Sequence, residues 1–193
     1  MANLANNKRC FWLDDMNLEK ISIGTEFPDH INVIIEISCG SNVKYEMDKD
    51  SGALVVDRFL HTPMFYPANY GFIPQTIGDD GDPLDALVLT RWKVAKQSVI
   101  KVRPIGVVLM EDEKGIDEKI ICVPAKKLDK SYESVKDIDD LDKQIISEIS
   151  HFFEHYKDLE DGKWVKISGF GNSQNAKEII TKHFQHYMKK IDR

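Results

Sequence analysis

The chain has 193 residues, a net charge of −6, 42% hydrophobic residues and 9% aromatic residues. This length is close to that of one ordinary domain, and the apolar content is sufficient to fill one core. The acidic balance argues against a general nucleic-acid binder, which would carry a basic excess, and no apolar stretch approaches the roughly 20 residues of a membrane-spanning helix.

The three cysteines, Cys10, Cys39 and Cys122, are far apart and form no C-x-x-C pair. Their spacing excludes a disulfide framework and a cysteine-based zinc site, and it is typical of a protein from a reducing cytosol. The N-terminal segment lacks the apolar core of roughly 7–15 residues that a secretory signal carries. We therefore expect a cytoplasmic protein with no membrane partner.

The first two-thirds of the chain alternates between strand-like runs and turn clusters. Runs of β-branched and aromatic residues, bounded by clusters of Gly, Asn, Asp and Ser, predict strands. The predicted strands are 33–37, 43–47, 53–59, 87–90, 99–110 and 119–123. Turn clusters at 39–42, 50–52 and 112–115 give several of these strands the spacing of hairpins.

The final third of the chain changes to a helical period. Apolar residues recur at steps of three and four over 138–156, which predicts an amphipathic helix. Asp137, Asp139 and Asp140 lie where the N-terminus of that helix would favour negative charge. A second helical pattern covers 176–188.

The remaining features of the sequence concern the start of the second helix, the number of domains and the fold class. Asn175 and Glu178 have the spacing of a capping pair for the second helix. No internal repeat or low-complexity linker divides the chain, so we expect one domain over 1–193, with 1–20 as a poorly defined extension. Strands followed by helices predict an α+β arrangement, mainly β: a mixed antiparallel sheet or small barrel that carries two helices.

The segment GDDGDPLD at 78–85 contains four carboxylates within seven residues. Gly81 and Pro83 disfavour a helix, which predicts a loop whose side chains converge. Crowded carboxylates repel one another unless cations neutralise them, and donors that are all oxygen suit hard ions such as Mg²⁺. A solvated acidic turn is the simpler interpretation, but apolar residues such as Ile73 and Leu84 frame this loop. The pattern also departs from a calcium-binding EF-hand at Leu84 and Asp85.

Strand periodicity predicts further charged pairs, because residues two apart in a strand point the same way. Lys44 shares a face with Glu46, and Asp117 shares a face with Lys119. Each pair also has a simpler interpretation as a surface ion pair worth less than ~1 kcal/mol.

Two tyrosines, Tyr66 and Tyr70, lie just before the acidic loop, and we expect their hydroxyls to line the same cavity. Carboxylates bind Mg²⁺, whereas Lys, Arg and Tyr bind phosphate oxygens. The chain contains no G-x-x-x-x-G-K-[ST] loop and no G-x-G-x-x-G fingerprint, so a nucleotide cradle is not indicated. The combination indicates metal-assisted phosphoryl transfer to water.

At these residues the chain resembles the family I (soluble, bacterial-type) inorganic pyrophosphatases. The run DGDPLD at 80–85 is similar to the signature D-G-D-P-[ILV]-D of that family. The resemblance covers about 31–171, and the matching residues occur in the family's order. They are Glu36, KYE at 44–46, DRF at 57–59, YPANYG at 66–71, Asp112, Asp117, Lys119 and HYK at 155–157.

The resemblance implies a five-stranded OB-like β-barrel with two flanking helices, and Mg²⁺-dependent hydrolysis of inorganic diphosphate to two orthophosphates by a metal-activated water. It implies Asp82 as the general base and several Mg²⁺ ions in each active site. The implied metal-binding residues are Glu36, Glu46, Asp80, Asp85, Asp112 and Asp117. The implied substrate-binding residues are Lys44, Arg58, Tyr70, Lys119, Tyr156 and Lys157. It also implies a homohexamer built from two stacked trimers.

Three alternatives remain open at this point. A broader Mg²⁺-dependent nucleotide phosphohydrolase would use the same chemistry. HFFEH at 151–155 matches the H-x-x-E-H pattern of zinc metallopeptidases. A role of His151 and His155 in subunit contacts is the better interpretation. Protonation of these histidines would then weaken assembly as the pH falls through about 6.5. A single-stranded nucleic-acid module would need aromatic residues interleaved with positive charge, whereas carboxylates are interleaved with the tyrosines here.

Overall fold

The structure is a computed structural model that describes residues 20–48, 51–78 and 80–192. Its strands are β1 (Ile31–Ile37), β2 (Val43–Met47), β3 (Leu54–Phe59), β4 (Asn69–Phe72), β5 (Asp85–Val88), β6 (Val99–Asp112), β7 (Gly115–Ile116), β8 (Lys119–Pro124) and β9 (Val165–Asn172). Its helices are α1 (Lys143–His155) and α2 (Ser173–Ile191). None of the described helices is long and apolar enough to cross a membrane.

Five of these strands close into a ring in the order β1, β4, β5, β8, β6 and back to β1. The β5–β8 pair is parallel, and the other four pairs are antiparallel. Strand β6 is long enough to pair with β1, β7, β8 and β9, and a register shift between Pro104 and Gly106 interrupts its pairing with β8. The predicted OB-like barrel with two helices is confirmed.

The two faces of the barrel strands belong to two apolar clusters. On β5, Leu87 packs in a cluster with Phe152 and Phe153 of α1, whereas its neighbour Ala86 packs in a cluster with Ile180 of α2. This alternation follows from the two-residue period of a strand. Strands buried on both faces read as nearly continuous apolar runs, as β1 and β8 do.

Strands β2 and β3 form a separate hairpin sheet, in which Lys44 is the register partner of Arg58. The predicted strands at 33–37, 43–47, 53–59, 99–110 and 119–123 are confirmed within one or two residues at each end. The predicted strand at 87–90 overlaps β5 only at 87–88, because β5 begins at Asp85 and ends at Val88. Part of the predicted turn at 50–52 lies outside the described residues, as does Cys10.

Three strands were not predicted, namely β4, β7 and β9, and β7 has only two residues. The short strand β4 has only four residues, and its Gly71 lies where a Cβ atom would meet the carbonyl oxygen of Ile34 at 1.8 Å. Strand β9 contains two glycines and pairs along β6 over much of that strand's length. Glycine weakens a strand pattern in the sequence. Gly71 is needed because the backbones of β1 and β4 approach closely, whereas Gly169 has a positive φ of 139°.

Both helices begin at other residues than predicted. Helix α1 begins at Lys143, where Asp142 accepts a hydrogen bond from the Gln144 N–H, and residues 138–140 form a separate 3₁₀ turn capped by Asp137. Helix α2 begins one turn before the predicted capping pair: Asn172 is its N-cap, and Asn175 completes the capping box. The prediction that Asn175 and Glu178 form the cap was therefore wrong.

Candidate active site

A cavity of about 640 Å³ lies beside the barrel, between the β2–β3 hairpin, the acidic loop, the β6–β7 turn, the turn that follows α1 and helix α2. It is lined by every metal-binding, substrate-binding and catalytic residue that the family resemblance implied. These are Glu36, Lys44, Glu46, Arg58, Tyr70, Asp80, Asp82, Asp85, Asp112, Asp117, Lys119, Tyr156 and Lys157. Residues spread over most of the chain thus converge on one space.

Lys119 lies between two carboxylates of this cavity. It is the register partner of Asp85 across the parallel β5–β8 pair, and its Nζ lies 2.5 Å from Oδ2 of Asp85. The same Nζ donates a hydrogen bond to Asp117. Burial opposes the positive charge of Lys119, but Asp85 and Asp117 outweigh it and raise the pKa of this ammonium group.

A second ion-paired cluster lies at the end of β6. Nζ of Lys157 is 2.7 Å from Oδ2 of Asp112, and both side chains are only 8% exposed. Glu113 contacts Lys157 at 3.6 Å and Lys163 at 2.5 Å. Burial opposes the charge of Glu113, but hydrogen bonds from Lys163 and the backbone, together with the charges of Lys157 and Lys163, outweigh it and lower the pKa of Glu113 to about 2. The sequence analysis missed Glu113 and Lys163, whose only signal was the acidic run at 111–113.

The hairpin contributes cations to the opposite wall. Lys44 donates a hydrogen bond to Glu46, which agrees with the prediction that the two side chains share a face of the strand. Arg58 contacts Asp57 through Nε at 3.0 Å and Glu160 through Nη1 at 2.5 Å. These contacts fix Arg58 where the hairpin meets the cavity.

Glu36 lies at the base of the cavity and is 7% exposed. Its Oε1 accepts a hydrogen bond of 2.6 Å from the Met47 N–H, which joins β1 to the hairpin. Burial, with a smaller contribution from the Asp85 charge, raises the pKa of Glu36 to about 8. This carboxyl is therefore largely protonated at neutral pH in the structure as it stands.

Four tyrosines line the cavity, and only Tyr70 of these belongs to the predicted pair. The others are Tyr45, Tyr156 and Tyr187, and burial raises the pKa of the phenols of Tyr70 and Tyr156. Tyr66 instead packs in the core, with its ring 4.9 Å from that of Phe152. The expectation that both Tyr66 and Tyr70 line the cavity is therefore wrong for Tyr66.

The acidic loop is held closed at its base. The Thr76 hydroxyl, on a residue only 2% exposed, donates to the Ile73 carbonyl at 2.6 Å and accepts from the Leu84 N–H at 2.9 Å. The Gly78 N–H donates to the Asp82 carbonyl at 2.7 Å, and the Asp82 N–H donates to Oδ1 of Asp80 at 3.0 Å. These bonds fix the backbone of the loop that presents Asp80 and Asp82. Asp79, the fourth acid of the motif, lies outside the described residues.

One face of α2 completes the cavity. Lys182, His183, Tyr187 and Lys190 line it, and the His183 carbonyl accepts a hydrogen bond of 3.2 Å from the Ile77 N–H of the acidic loop. The sequence analysis did not assign these residues to a site. Three of them have the helical spacing i, i+4, i+7, but nothing local in the sequence indicates what that face meets.

The donor set of the cavity suits a hard divalent cation, because its potential ligands are carboxylate oxygens. A positive charge, the ammonium group of Lys119, already lies between Asp85 and Asp117. Within residues 20–48, 51–78 and 80–192, no three His, Cys, Asp or Glu side chains are already arranged around one point as metal ligands. The carboxylates of the cavity are chemically suited to a hard cation. In this structure Asp85, Asp117 and Asp112 contact lysine ammonium groups.

The H-x-x-E-H residues lie apart from this cavity. His151 and His155 are on the exposed side of α1, with ring centroids 4.6 Å apart, and Nδ1 of His155 is 2.8 Å from Oδ2 of Asp158. Among the described residues, no third ligand joins them in a metal-binding group. The metallopeptidase interpretation is therefore not supported.

Comparison with known proteins agrees with this geometry. The family model described as "Inorganic pyrophosphatase" matches residues 33–188. The chain is 53% identical to an inorganic pyrophosphatase of Agrobacterium fabrum, over 89% of this chain and 98% of that protein, and 58% identical to one of Gluconobacter oxydans, over 86% and 95%. The crystal structure of inorganic pyrophosphatase from Thermus thermophilus is similar with a TM-score of 0.86 and 43% identity, over 89% of this chain and 99% of that one.

Proposed function

The chain belongs to the inorganic pyrophosphatase family, and we propose that the cavity lined by Asp80, Asp82 and Asp85 is its catalytic centre. The protein is a diphosphatase that hydrolyses inorganic diphosphate and uses a divalent metal cofactor. One observation supports this location above all others. Carboxylates that suit a metal and cations that suit phosphate converge on the same cavity, although they come from six strands, helix α2 and the turns and loops between elements.

Four cations and two phenols would bind the diphosphate. Lys44, Arg58, Lys119 and Lys157 provide positive charge for the phosphate oxygens, and the guanidinium fork of Arg58 matches them in a bidentate manner. The raised pKa values of Tyr70 and Tyr156 keep both phenols protonated at neutral pH. Each hydroxyl can therefore donate a hydrogen bond to an anionic oxygen.

We propose Mg²⁺ as the cofactor, with several ions in each active site. Its ligands would be Asp80, Asp85, Asp112 and Asp117, supported by Glu36 and Glu46. Bound Mg²⁺ would lower the pKa of a coordinated water and neutralise charge that develops on the leaving phosphate. The buried lysines beside these acids limit repulsion among the carboxylates.

Asp82 would be the general base. Hydrogen bonds to Gly78 and Asp80 fix its backbone, so its carboxylate is presented from a rigid turn. One carboxylate oxygen of Asp82 accepts a proton from the attacking water as the oxygen of that water bonds to phosphorus. The bridging P–O bond then breaks, and its electron pair leaves with the second phosphate. Binding and charge stabilisation supply most of the catalysis in phosphoryl transfer.

The experiment that tests this function compares phosphate release from diphosphate, ATP and a phosphomonoester, with and without Mg²⁺. We expect release from diphosphate to be fastest and to depend on Mg²⁺. Preference for ATP would favour the nucleotide phosphohydrolase instead, which the comparisons do not favour. Parallel assays with Mn²⁺ and Zn²⁺ test the proposed choice of ion.

We also propose a cytoplasmic homohexamer of two stacked trimers, in which each chain is one catalytic domain over 1–193. The described cysteines, Cys39 and Cys122, are free thiols, which suits a reducing compartment. The exposed pair of His151 and His155 would lie at subunit contacts, where protonation would add positive charge. Sedimentation at pH 8 and pH 5 should show a hexamer that weakens at pH 5, and an unchanged hexamer at both values would contradict the role of these histidines.

A further inference from the structure

Arg58 is paired with an acid that does not line the cavity. Oε2 of Glu160 lies 2.5 Å from Nη1 of Arg58, and the Glu160 side chain is only 7% exposed. Arg58 lines the cavity, whereas Glu160 lies behind it. The two residues are 102 positions apart in the chain. This contact therefore depends on the tertiary fold.

One nitrogen of the Arg58 guanidinium is hydrogen bonded, since Nη1 donates to Glu160. Nε lies 3.0 Å from Oδ2 of the neighbouring Asp57 but makes no hydrogen bond within the described residues. Asp57 belongs to the same strand as Arg58 and moves with it. Within the described part of the chain, Glu160 is the residue whose ion pair joins this guanidinium to a different part of the fold.

The turn after α1 places Glu160. Its N–H donates to the Lys157 carbonyl at 2.8 Å, and its carbonyl accepts from the Lys163 N–H at 3.2 Å. Lys157 itself lines the cavity. One turn therefore presents a cation to the cavity at Lys157 and an acid to the back of Arg58 at Glu160.

The pair also joins two walls of the cavity. Arg58 is on the β2–β3 hairpin, which forms a sheet separate from the barrel. Beside the ion pair, Nδ1 of His61 lies 3.4 Å from the Leu159 carbonyl, which is a second polar contact between these two segments. The position of the hairpin cation thus depends on the turn that follows α1.

We propose that Glu160 is a positioning residue for diphosphate hydrolysis, which acts on the substrate only through Arg58. The proposal rests on the proposed binding role of Arg58. A buried carboxylate near an anion site weakens the attraction for the substrate through its own charge. Its presence is favourable because it fixes the direction of a guanidinium that must meet phosphate oxygens in a defined geometry.

A positioning role of Glu160 and a purely electrostatic role predict opposite changes in KM for diphosphate when the carboxylate is removed. Glu160→Gln removes a negative charge, so a purely electrostatic role would lower KM for diphosphate. Loss of positioning would instead raise KM and lower kcat, with a fall in kcat/KM of about 10-fold, because a charge-assisted hydrogen bond is lost. Glu154→Gln, on the exposed side of α1, is the matched control and should leave both constants unchanged.

A double-mutant cycle separates positioning from a general structural role. In an Arg58→Ala background, Glu160→Gln should change kcat/KM by less than about 2-fold, because the residue that it positions is gone. A loss as large as that in the wild-type background would overturn the proposal, as would an unchanged or lowered KM in the single variant. Glu160→Asp keeps the charge on a shorter side chain and should lose less activity than Glu160→Gln.

The outcomes also separate this proposal from the proposed function. Failure of the wild-type enzyme to release phosphate from diphosphate would refute the function itself. Full activity of Arg58→Ala would remove the binding role of Arg58, and the role of Glu160 with it. An impaired Arg58→Ala enzyme together with an unaffected Glu160→Gln enzyme would refute the positioning role alone. Circular dichroism of each variant confirms that it is folded.

Discussion

Asp85 and Lys119 face each other in register on the parallel strands β5 and β8, with Oδ2 of Asp85 2.5 Å from Nζ of Lys119. Both residues are the first of their strands, so the backbone of the closed barrel fixes their separation. Asp117, two residues before Lys119, contacts the same ammonium group. The barrel thus places two acids and one base at the same edge.

Replacement of either acid should abolish metal-dependent activity. Asp85→Ala or Asp117→Ala removes a proposed metal ligand and leaves Lys119 buried with only one of its two carboxylate partners. We expect Mg²⁺-dependent phosphate release to fall by at least about 10²-fold, since loss of a single electrostatic contribution at a catalytic centre commonly has this size. Near-native turnover in either variant would refute the metal assignment. Asp161→Ala, at an exposed acid in the turn before β9, is the control.

The charged pairs of the strands show how far the sequence alone could predict the site. The pairs Lys44–Glu46 and Asp117–Lys119 were expected on strand faces, and both are hydrogen bonded. Lys44 and Glu46 both lie on β2, so the two-residue period of a strand predicts their pairing from local sequence. Asp117 instead lies in the connection between β7 and β8, and it reaches Lys119 from outside the strand. The convergence of these pairs on one cavity was implied only by the family resemblance, because their order along the chain does not determine it.

The missed residues lack such a local signal. Glu160 meets Arg58 across 102 positions, and the cavity-lining face of α2 meets the acidic loop only in the folded chain. The barrel topology was likewise implied by the resemblance, whereas strand β4 was missed because its four residues include Gly71. Helix α1 was predicted to begin too early because the apolar residues at 138 and 141 continue its period through a separate 3₁₀ turn.

The close approach of β1 and β4 makes Gly71 sensitive to substitution. A Cβ atom there would lie 1.8 Å from the Ile34 carbonyl oxygen, which belongs to a backbone that cannot yield without opening the barrel. We expect Gly71→Ala to lower the free energy of unfolding by more than about 3 kcal/mol. Gly162→Ala, where the backbone φ is +73° but no atom lies within 4 Å, should cost only about 1 kcal/mol. Urea denaturation measures both, and equal losses would show that the barrel adjusts.

The hydroxyl of Thr76 should control the metal requirement of the enzyme. It joins the two ends of the acidic loop by bonding to Ile73 and Leu84. Thr76→Val keeps the shape but leaves two buried backbone groups unpaired, at a cost of about 1–3 kcal/mol. We expect the loop to loosen, so that half-maximal activity requires several times more Mg²⁺. Thr76→Ser, which keeps the hydroxyl, should behave like the wild type, and equal Mg²⁺ requirements for the two variants would contradict this role of the hydroxyl.

Glu36 should make the stability of the metal-free enzyme fall as pH rises. Burial raises its pKa to about 8 in the folded chain, from 4.5 for an unperturbed glutamate. Between these two values the folded state holds a proton that the unfolded state has released. The free energy of unfolding therefore decreases as pH rises from about 4.5 to about 8, and this contribution is constant outside that window. Glu36→Gln has no such proton to lose.

Urea denaturation in EDTA at pH 5, 6, 7 and 8 measures this difference. We expect the stability of the wild type relative to Glu36→Gln to fall steadily over the series, because the wild-type carboxyl becomes a buried anion while the amide stays neutral. The Met47 N–H already bonds to this carboxyl at 2.6 Å and favours the ionised form, so the fall should be smaller than burial alone would produce. Parallel stability curves for the two proteins would show that Glu36 is ionised throughout, and that the cavity base holds an anion without a metal.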